Sequence, residues 1–278
     1  MTRLPRYHAA ARRSFSSELV SAAQDFANSF RQWHLWSVLA VNDIMGRYRG
    51  SLLGPFWITL SNAAFILGVG LVYGELMHVS TEKYVPWIAT GVTLWNLIVS
   101  TIQEGGDAFV QGALIIRQSS LPLPVFVWRV VLRSLINFAH QVVVIFVVAL
   151  WFHYLTKINL PMAMLGLLLV LLNISWISFV AAIVAARFRD VQQVIATVLQ
   201  LVFFVSPVIW IPAETSGGRG LLLRTNPVFH MLDVTRNPLL GLPAHRQSVE
   251  FLLIMGLSGW VVAFFFYTAV RRRIVHYL

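Results

Sequence analysis

The chain contains no cysteine. That excludes a disulfide framework, a thiolate nucleophile and a cysteine-ligated metal site. Charge is also scarce, at 12% of 278 residues, against roughly a quarter in soluble domains. Acid is scarcest of all, with 11 Asp+Glu against 21 Lys+Arg. No GxxxxGK[ST] phosphate loop, HExxH or GxSxG motif occurs, and GGRG at 217–220 lacks the phosphate-loop lysine. Asp43, Asp107 and Asp190 stand alone in the sequence, and no apolar run holds paired carboxylates. These gaps argue against a membrane-embedded enzyme and against a proton- or sodium-driven carrier. No catalytic residue and no metal site is expected. The two halves of the chain show no self-similarity, so an inverted-repeat transporter is not suggested.

What is present is apolar. Hydrophobic residues make up 58% of the chain and the mean hydropathy is +0.72, which places it among integral membrane proteins. The net charge of +10 fits arginines held on the cytoplasmic side and lipid headgroups as partners. No basic stripe lies on a soluble domain, so nucleic acid is not expected as a partner. The Arg-rich, acid-free start MTRLPRYHAAARRSF reads as a cytoplasmic tail.

Hydrophobic patterning predicts an all-α integral membrane protein with six transmembrane helices. The candidate spans are 55–77, 84–101, 125–152, 162–185, 191–211 and 249–270, each near the 20 or so residues a bilayer requires. Pro207, inside the fifth, should kink or end it. Before them, residues 17–36 repeat Leu19, Ala22, Phe26, Phe30, Trp33 and Trp36 at helical steps. This predicts an amphipathic helix, lying on the interface or packed on a partner. The arginines set orientation. The segment from Arg3 to Arg49, with Arg117, Arg187, Arg189 and Arg271 to Arg273, forms the richer side, so both termini are expected in the cytoplasm. The chain thus divides into an N-terminal segment 1–54, a membrane domain 55–270 and a basic tail 271–278.

Four stretches carry candidate chemistry. In RYRGSLLGPFW, residues 47–57, Arg47, Tyr48 and Arg49 form a cationic collar. Gly50 and Gly54 permit a bend, and Pro55 suits a first helical position. Arg133, Asn137 and His140 share one helical face with Arg129, as a polar stripe or as arginines snorkelling to the headgroups. Glu104, Gly105, Gly106 and Asp107 open an inner connection that either docks on a soluble partner or simply extends the helix before it. In the outer connection, Asn226-Pro227 and Asn237-Pro238 flank VFHMLDV, which contains His230. Pro-bounded apolar pieces of this length read as re-entrant or interfacial half-helices between spans five and six, or as a small extracytoplasmic cap packed on the bundle. Aromatics near span ends, such as Tyr84, Trp151 and Tyr154, read mainly as an interfacial belt.

RYRGSLLGPFW, ARFRDV at 186–191, SPVIW at 206–210 and NPVFHMLDVTRNPLLG at 226–241, set among six spans, resemble the membrane subunit of ABC-2 type exporters. The likeness is to the branch that exports O-antigen, capsular or teichoic polysaccharides. It implies a homodimer enclosing the channel, with two copies of a separate cytoplasmic ABC ATPase that holds ATP and Mg. This subunit would bind no cofactor itself. It further implies a gate helix over about 36–51, a coupling helix within 103–120 and a re-entrant pair over 216–244. The substrate would be an undecaprenyl diphosphate-linked polymer crossing a bacterial inner membrane, with Arg47, Tyr48 and Arg49 admitting the diphosphate. Other readings are an exporter of a small amphiphile or a component of a membrane-bound glycosyltransferase.

Overall fold

The computed structural model describes residues 15–76, 78–212 and 223–278, and their regular structure is helical throughout. Helices α1 (Phe15–Arg31) and α2 (Trp33–Arg47) divide the amphipathic segment at Gln32. The apolar stripe of α1 closes on protein. Phe26 sits among Phe179, Trp260, Phe264 and Tyr267 at centroid distances of 5.2 to 6.0 Å. Its polar edge is tied to the last helix of the chain. Asp25 accepts from Tyr267 Oη at 2.6 Å and Arg271 Nη2 at 2.7 Å, and Glu18 pairs with Arg272.

The collar bends as its glycines require. Gly50 and Gly54 have φ of +82° and +55°, a region costly for residues with a Cβ. Helix α3 (Phe56–Leu76) then begins one residue after Pro55. Next come α4 (Thr81–Gly106), the short α5 (Ala108–Gln111) and α6 (Ala113–Gln118), α7 (Pro124–Trp151) and α8 (Leu160–Arg187). Helix α9 (Val191–Val205) is followed by α10 (Pro227–Leu239) and α11 (Arg246–Tyr277).

Five of these helices are long and apolar enough to cross a membrane: α3, α4, α7, α8 and α11. The stretch expected as a fifth span, 191–211, is helical only to Val205. Pro207 sets that limit, because it has no N–H to continue the ladder. The 15 residues of α9 reach about 22 Å at 1.5 Å per residue, short of a full crossing. Residues 271–277 are not a separate tail but the final turns of α11.

Helix α4 is the central pillar, buried along most of its length against α3, α7 and α8. Helix α8 carries α10 and α11 on its other sides. Small residues let these backbones meet, as in other membrane bundles. A Cβ on Gly166 would lie 2.1 Å from the Val234 carbonyl oxygen, and one on Gly259 would strike the Trp176 ring at 2.2 Å. Tyr84 and Tyr154 are buried at 0% and 9% exposure, whereas Trp151 is 76% exposed. The belt reading therefore fails for the two tyrosines: Tyr84 is a strut whose hydroxyl donates to the Ile209 carbonyl at 2.9 Å.

Between α9 and α10 lie residues 213–222, outside the described residues, as are 1–14. Part of the expected re-entrant pair falls there. The described part is α10. Asn226 caps it by accepting from the Val228 N–H at 2.9 Å, with Pro227 at the first position. Its end is not the expected Asn237-Pro238 boundary. Pro238 sits in the last turn, and the stop is Gly241 at φ +76°. Leu242 N–H bonds the Asn237 carbonyl at 2.8 Å and Gly241 N–H the Pro238 carbonyl at 3.3 Å, the paired bonds of a Schellman close.

Candidate functional site

At the depth of the spans, α3, α4, α7 and α9 enclose an open groove of about 690 Å³. Its polar lining is amide and hydroxyl: Asn62, Asn96, Gln103, Gln141, Gln200 and Ser61. Phe65, Trp95, Phe203 and Phe204 supply ring faces, and no lining residue is charged. Asn96 is the hub. Its Nδ2 donates to Asn62 Oδ1 at 3.2 Å and to Gln141 Oε1 at 2.8 Å, while Asn62 Nδ2 donates to Thr93 Oγ1 at 2.9 Å. Asn96 Oδ1 and Gln141 Nε2 are not used within this ladder, which leaves an acceptor and a donor for hydroxyl groups. Aromatic faces suit the C–H faces of sugar rings. Without a charge to anchor a ligand, such a surface can hold a neutral polymer and still let it slide.

Below the groove lies an alternating chain of charges. Arg129 grips both oxygens of Asp43 on α2, with Nε to Oδ2 at 2.7 Å and Nη2 to Oδ1. Arg133 Nη1 reaches Asp43 Oδ2 at 2.6 Å, and its Nε reaches Glu104 Oε2 at 2.9 Å. Arg47 Nη2 closes the chain on Glu104 Oε1 at 3.1 Å. Burial works to raise the Asp43 carboxyl, but hydrogen bonds and charge from Arg129 and Arg133 outweigh it and hold its pKa below the ordinary carboxylate value. Sequence reading left Asp43 isolated. The structure makes it the centre of the network, 86 residues from Arg129.

The polar face of α7 splits along its length. Arg129 and Arg133 face α2 and α4, and Asn137 is buried. His140 turns toward α3: its Nδ1 lies 2.8 Å from the Ile136 carbonyl, Thr59 Oγ1 donates to the His140 carbonyl at 2.9 Å, and Phe56 stands edge-on at 6.4 Å. Only Gln141 of this region reaches the groove. Of the collar, Arg49 is exposed and Tyr48 half-buried.

The inner connection is also rearranged relative to its sequence reading. Glu104 belongs to the charge chain. Gly105 and Gly106 are buried packing sites, where a Cβ would meet Ser178 Cβ and Gln192 Nε2, each at 2.5 Å. Asp107 joins α4 to α5, and burial raises its carboxyl against an opposing Gln192 hydrogen bond, with Glu104 adding to the rise. On α5 and α6 the apolar residues Val110, Leu114 and Ile115 are 46%, 74% and 37% exposed.

On the opposite side, the residues of the outer connection act as struts. His230 Nδ1 lies 2.9 Å from Ser248 Oγ and its Nε2 lies 2.8 Å from the Arg224 carbonyl, with Phe251 stacked at 4.2 Å. Asp233 accepts from Asn237 Nδ2 at 2.6 Å and from His245 N–H at 3.0 Å. Arg236, 1% exposed, donates to the Pro207 and Val208 carbonyls at 2.7 and 3.2 Å. Sequence reasoning missed Arg236 and the amide ladder. The available signal was the polar residue itself at membrane depth, where such residues are rarely idle.

A multi-pass helical bundle with an uncharged polar groove at membrane depth is the build of a transport subunit. Residues 34–240 match the family model described as ABC-2 type transporter, and the chain belongs to that family. It is 23% identical to the O-antigen export system permease protein RfbA of Myxococcus xanthus over 70% of this chain and 75% of the relative. A protein of the same name from Klebsiella pneumoniae is 20% identical over 87% and 93%. The polysialic acid transport protein KpsM of Escherichia coli is 22% identical over 79% and 86%.

Proposed function

We propose that this chain is the permease subunit of an ATP-driven exporter that moves a lipid-linked O-antigen polysaccharide across the bacterial inner membrane. The groove carries the reading. Its amides and ring faces fit sugar hydroxyls and ring planes, and it is open on the side of α3 and α9, whose apolar outer faces are exposed. A second copy facing that side would turn an open groove into an enclosed path, and a two-fold dimer is the commonest assembly. The relatives' names support polysaccharide as cargo. Among them, polysialic acid is a polyanion, and a groove lined by no cation favours a neutral polymer.

In this reading α9 extended by residues 206–212 makes the sixth crossing, and α10 is re-entrant near the outer exit. Both termini are cytoplasmic. Two copies of a cytoplasmic ATPase, each with ATP and Mg, dock against α5 and α6. The polymer rides on undecaprenyl diphosphate, whose phosphates pass near Arg47, Tyr48 and Arg49. The test is extraction of the tagged chain in mild detergent, with identification of co-purifying proteins, beside surface staining of polysaccharide in a deletion strain. A stoichiometric ATPase and loss of surface polymer are expected. A chain that purifies without an ATPase, from cells whose surface polymer is unchanged, refutes the reading.

A further inference from the structure

We propose that Arg129 and Arg133 form a phosphoanion site for the head of a lipid-borne substrate, and that Asp43 is the chain's own occupant, which the phosphate displaces. The inference rests on the export reading above, because it needs a substrate with a phosphate at the membrane surface.

Two guanidinium groups one helical turn apart converge on a single carboxylate from another helix. Arg129 holds both Asp43 oxygens in a fork, and Arg133 holds the second oxygen at 2.6 Å. That fork geometry is shared by carboxylate and phosphate ligands. Among the described residues the two arginines share Asp43, with Glu104 as the second acceptor of Arg133, and a phosphate supplies more charge and more acceptors than one carboxylate.

Location selects a lipid-borne anion. Both arginines lie in the first three turns of α7, a helix long and apolar enough to cross the membrane, which on the export reading puts them toward the headgroups. Gln141 of the groove stands eight residues further along the same helix, about 12 Å at 1.5 Å per residue. An anchored phosphate at the arginines therefore leaves its attached sugars at the groove mouth.

The occupant is built to leave. Asp43 is the sole acid of α2, whose outer residues Val38 and Met45 are 56% and 66% exposed. The helix runs into a collar containing two left-handed glycines, Gly50 and Gly54. Its second ion pair is weaker: Arg47–Glu104, with Arg47 48% exposed, is of a kind worth about 1 kcal/mol or less, and its remaining ties are the Trp36 Nε1 bond to the Ser29 carbonyl and the buried Ala40 and Ile44. Exchange of phosphate for Asp43 would free α2 to swing on the collar.

The experiment uses the full chain in phosphatidylcholine nanodiscs and two probes, farnesyl diphosphate and inorganic pyrophosphate. Asp43→Asn removes the competing charge and should bind farnesyl diphosphate about tenfold tighter, a change of ~1.4 kcal/mol. Arg129→Gln with Arg133→Gln should abolish that binding, and Asp43→Glu should bind as the natural chain does. In the natural chain, which needs no variant to fold, farnesyl diphosphate should raise hydrogen exchange across residues 33–47. Asp43→Asn binding no tighter than the natural chain, or exchange across 33–47 unmoved by the probe, overturns the proposal. Equal binding of pyrophosphate overturns the lipid-borne assignment. A chain that binds the probe but never co-purifies with an ATPase sinks the export reading and leaves the arginine site standing.

Discussion

Replacing Arg236 by methionine should unlock the outer end of α9. Pro207 stops that helix, and four successive carbonyls after the break are taken by side chains. Arg236 donates to Pro207 and Val208, Tyr84 Oη to Ile209 at 2.9 Å, and Trp87 Nε1 to Trp210 at 3.3 Å. The Arg236 guanidinium also lies 4.0 Å from the Trp87 ring centre. Methionine keeps an apolar stem but leaves two buried carbonyls without donors, roughly 1–3 kcal/mol each. A desolvated cation–π contact of about 2 kcal/mol is lost with them. Against this, the variant no longer buries a guanidinium, which recovers several kcal/mol. The net should be a loss of about 3 kcal/mol, dominated by the two carbonyls left without donors. Arg236→Lys should recover only part of it, because one ammonium cannot fork across two carbonyls and cover the ring. The assay is thermal and denaturant unfolding of the detergent-solubilised chain. Methionine or lysine variants as stable as the natural chain would refute the clamp.

Gly91→Ala probes the same clamp from the other side, since its Cβ would fall 2.1 Å from Arg236 Nη2 and 2.5 Å from the Val208 carbonyl oxygen. It should destabilise like Arg236→Met, and the double variant should lose clearly less than the two losses added, as neighbours sharing one interaction do. Asn96→Leu breaks two interhelical hydrogen bonds, each worth ~0.6–1.7 kcal/mol in membranes. Surface polysaccharide should fall at unchanged protein level, and normal export would remove the groove from the path. Leu114→Asp, at a 74% exposed position, should weaken ATPase co-purification at least about tenfold, or ~1.4 kcal/mol, without changing the melt. The Asp107 carboxyl has a raised pKa in the folded chain, so its contribution is full below the unfolded value and lost as pH rises through the folded one. Asp107→Asn should therefore stabilise near pH 7 and flatten the dependence between acid and neutral pH; a variant that melts lower at pH 7 contradicts this.

The membrane helices were legible because hydropathy and length suffice to mark a buried or lipid-facing helix. The stop at Pro207 was legible because it follows from one missing N–H. The end of α10 was misjudged for a similar local reason. Proline at 238 attracts notice, yet a last-turn proline can be carried, and Gly241 supplies the left-handed residue that closes the helix. The charge chain and the amide ladder were not legible. Their members come from three helices each, with separations of 29 to 90 residues in one and 31 to 45 in the other. No periodicity links such residues. The collar glycines were legible, since bending is a local property, but the partners of Arg47 and Arg133 were not.

Helix α4 connects the regions that a working cycle must coordinate. Gly91 makes room for the outer clamp, Asn96 is the hub of the groove, Glu104 bridges Arg47 and Arg133, and α5 begins at Ala108. From Gly91 to Glu104 is about 20 Å at 1.5 Å per residue. The helix is buried along that length, and close packing makes it a rigid rod, not a spring. If an ATPase docks on α5 and α6 as proposed, its push therefore cannot be absorbed along the way. It must shift α4 as a body or break one of its ties. The ties are unequal: the outer clamp is fully buried, the Glu104–Arg133 pair is partly buried, and the Arg47–Glu104 pair is the most exposed. The first to yield is the pair beside the collar, so under the proposed cytoplasmic docking of an ATPase a stroke should loosen α2 before it disturbs the other end of α4. That order opens the inner side while the outer side is still held, which is the sequence an exporter needs to admit cargo without leaking.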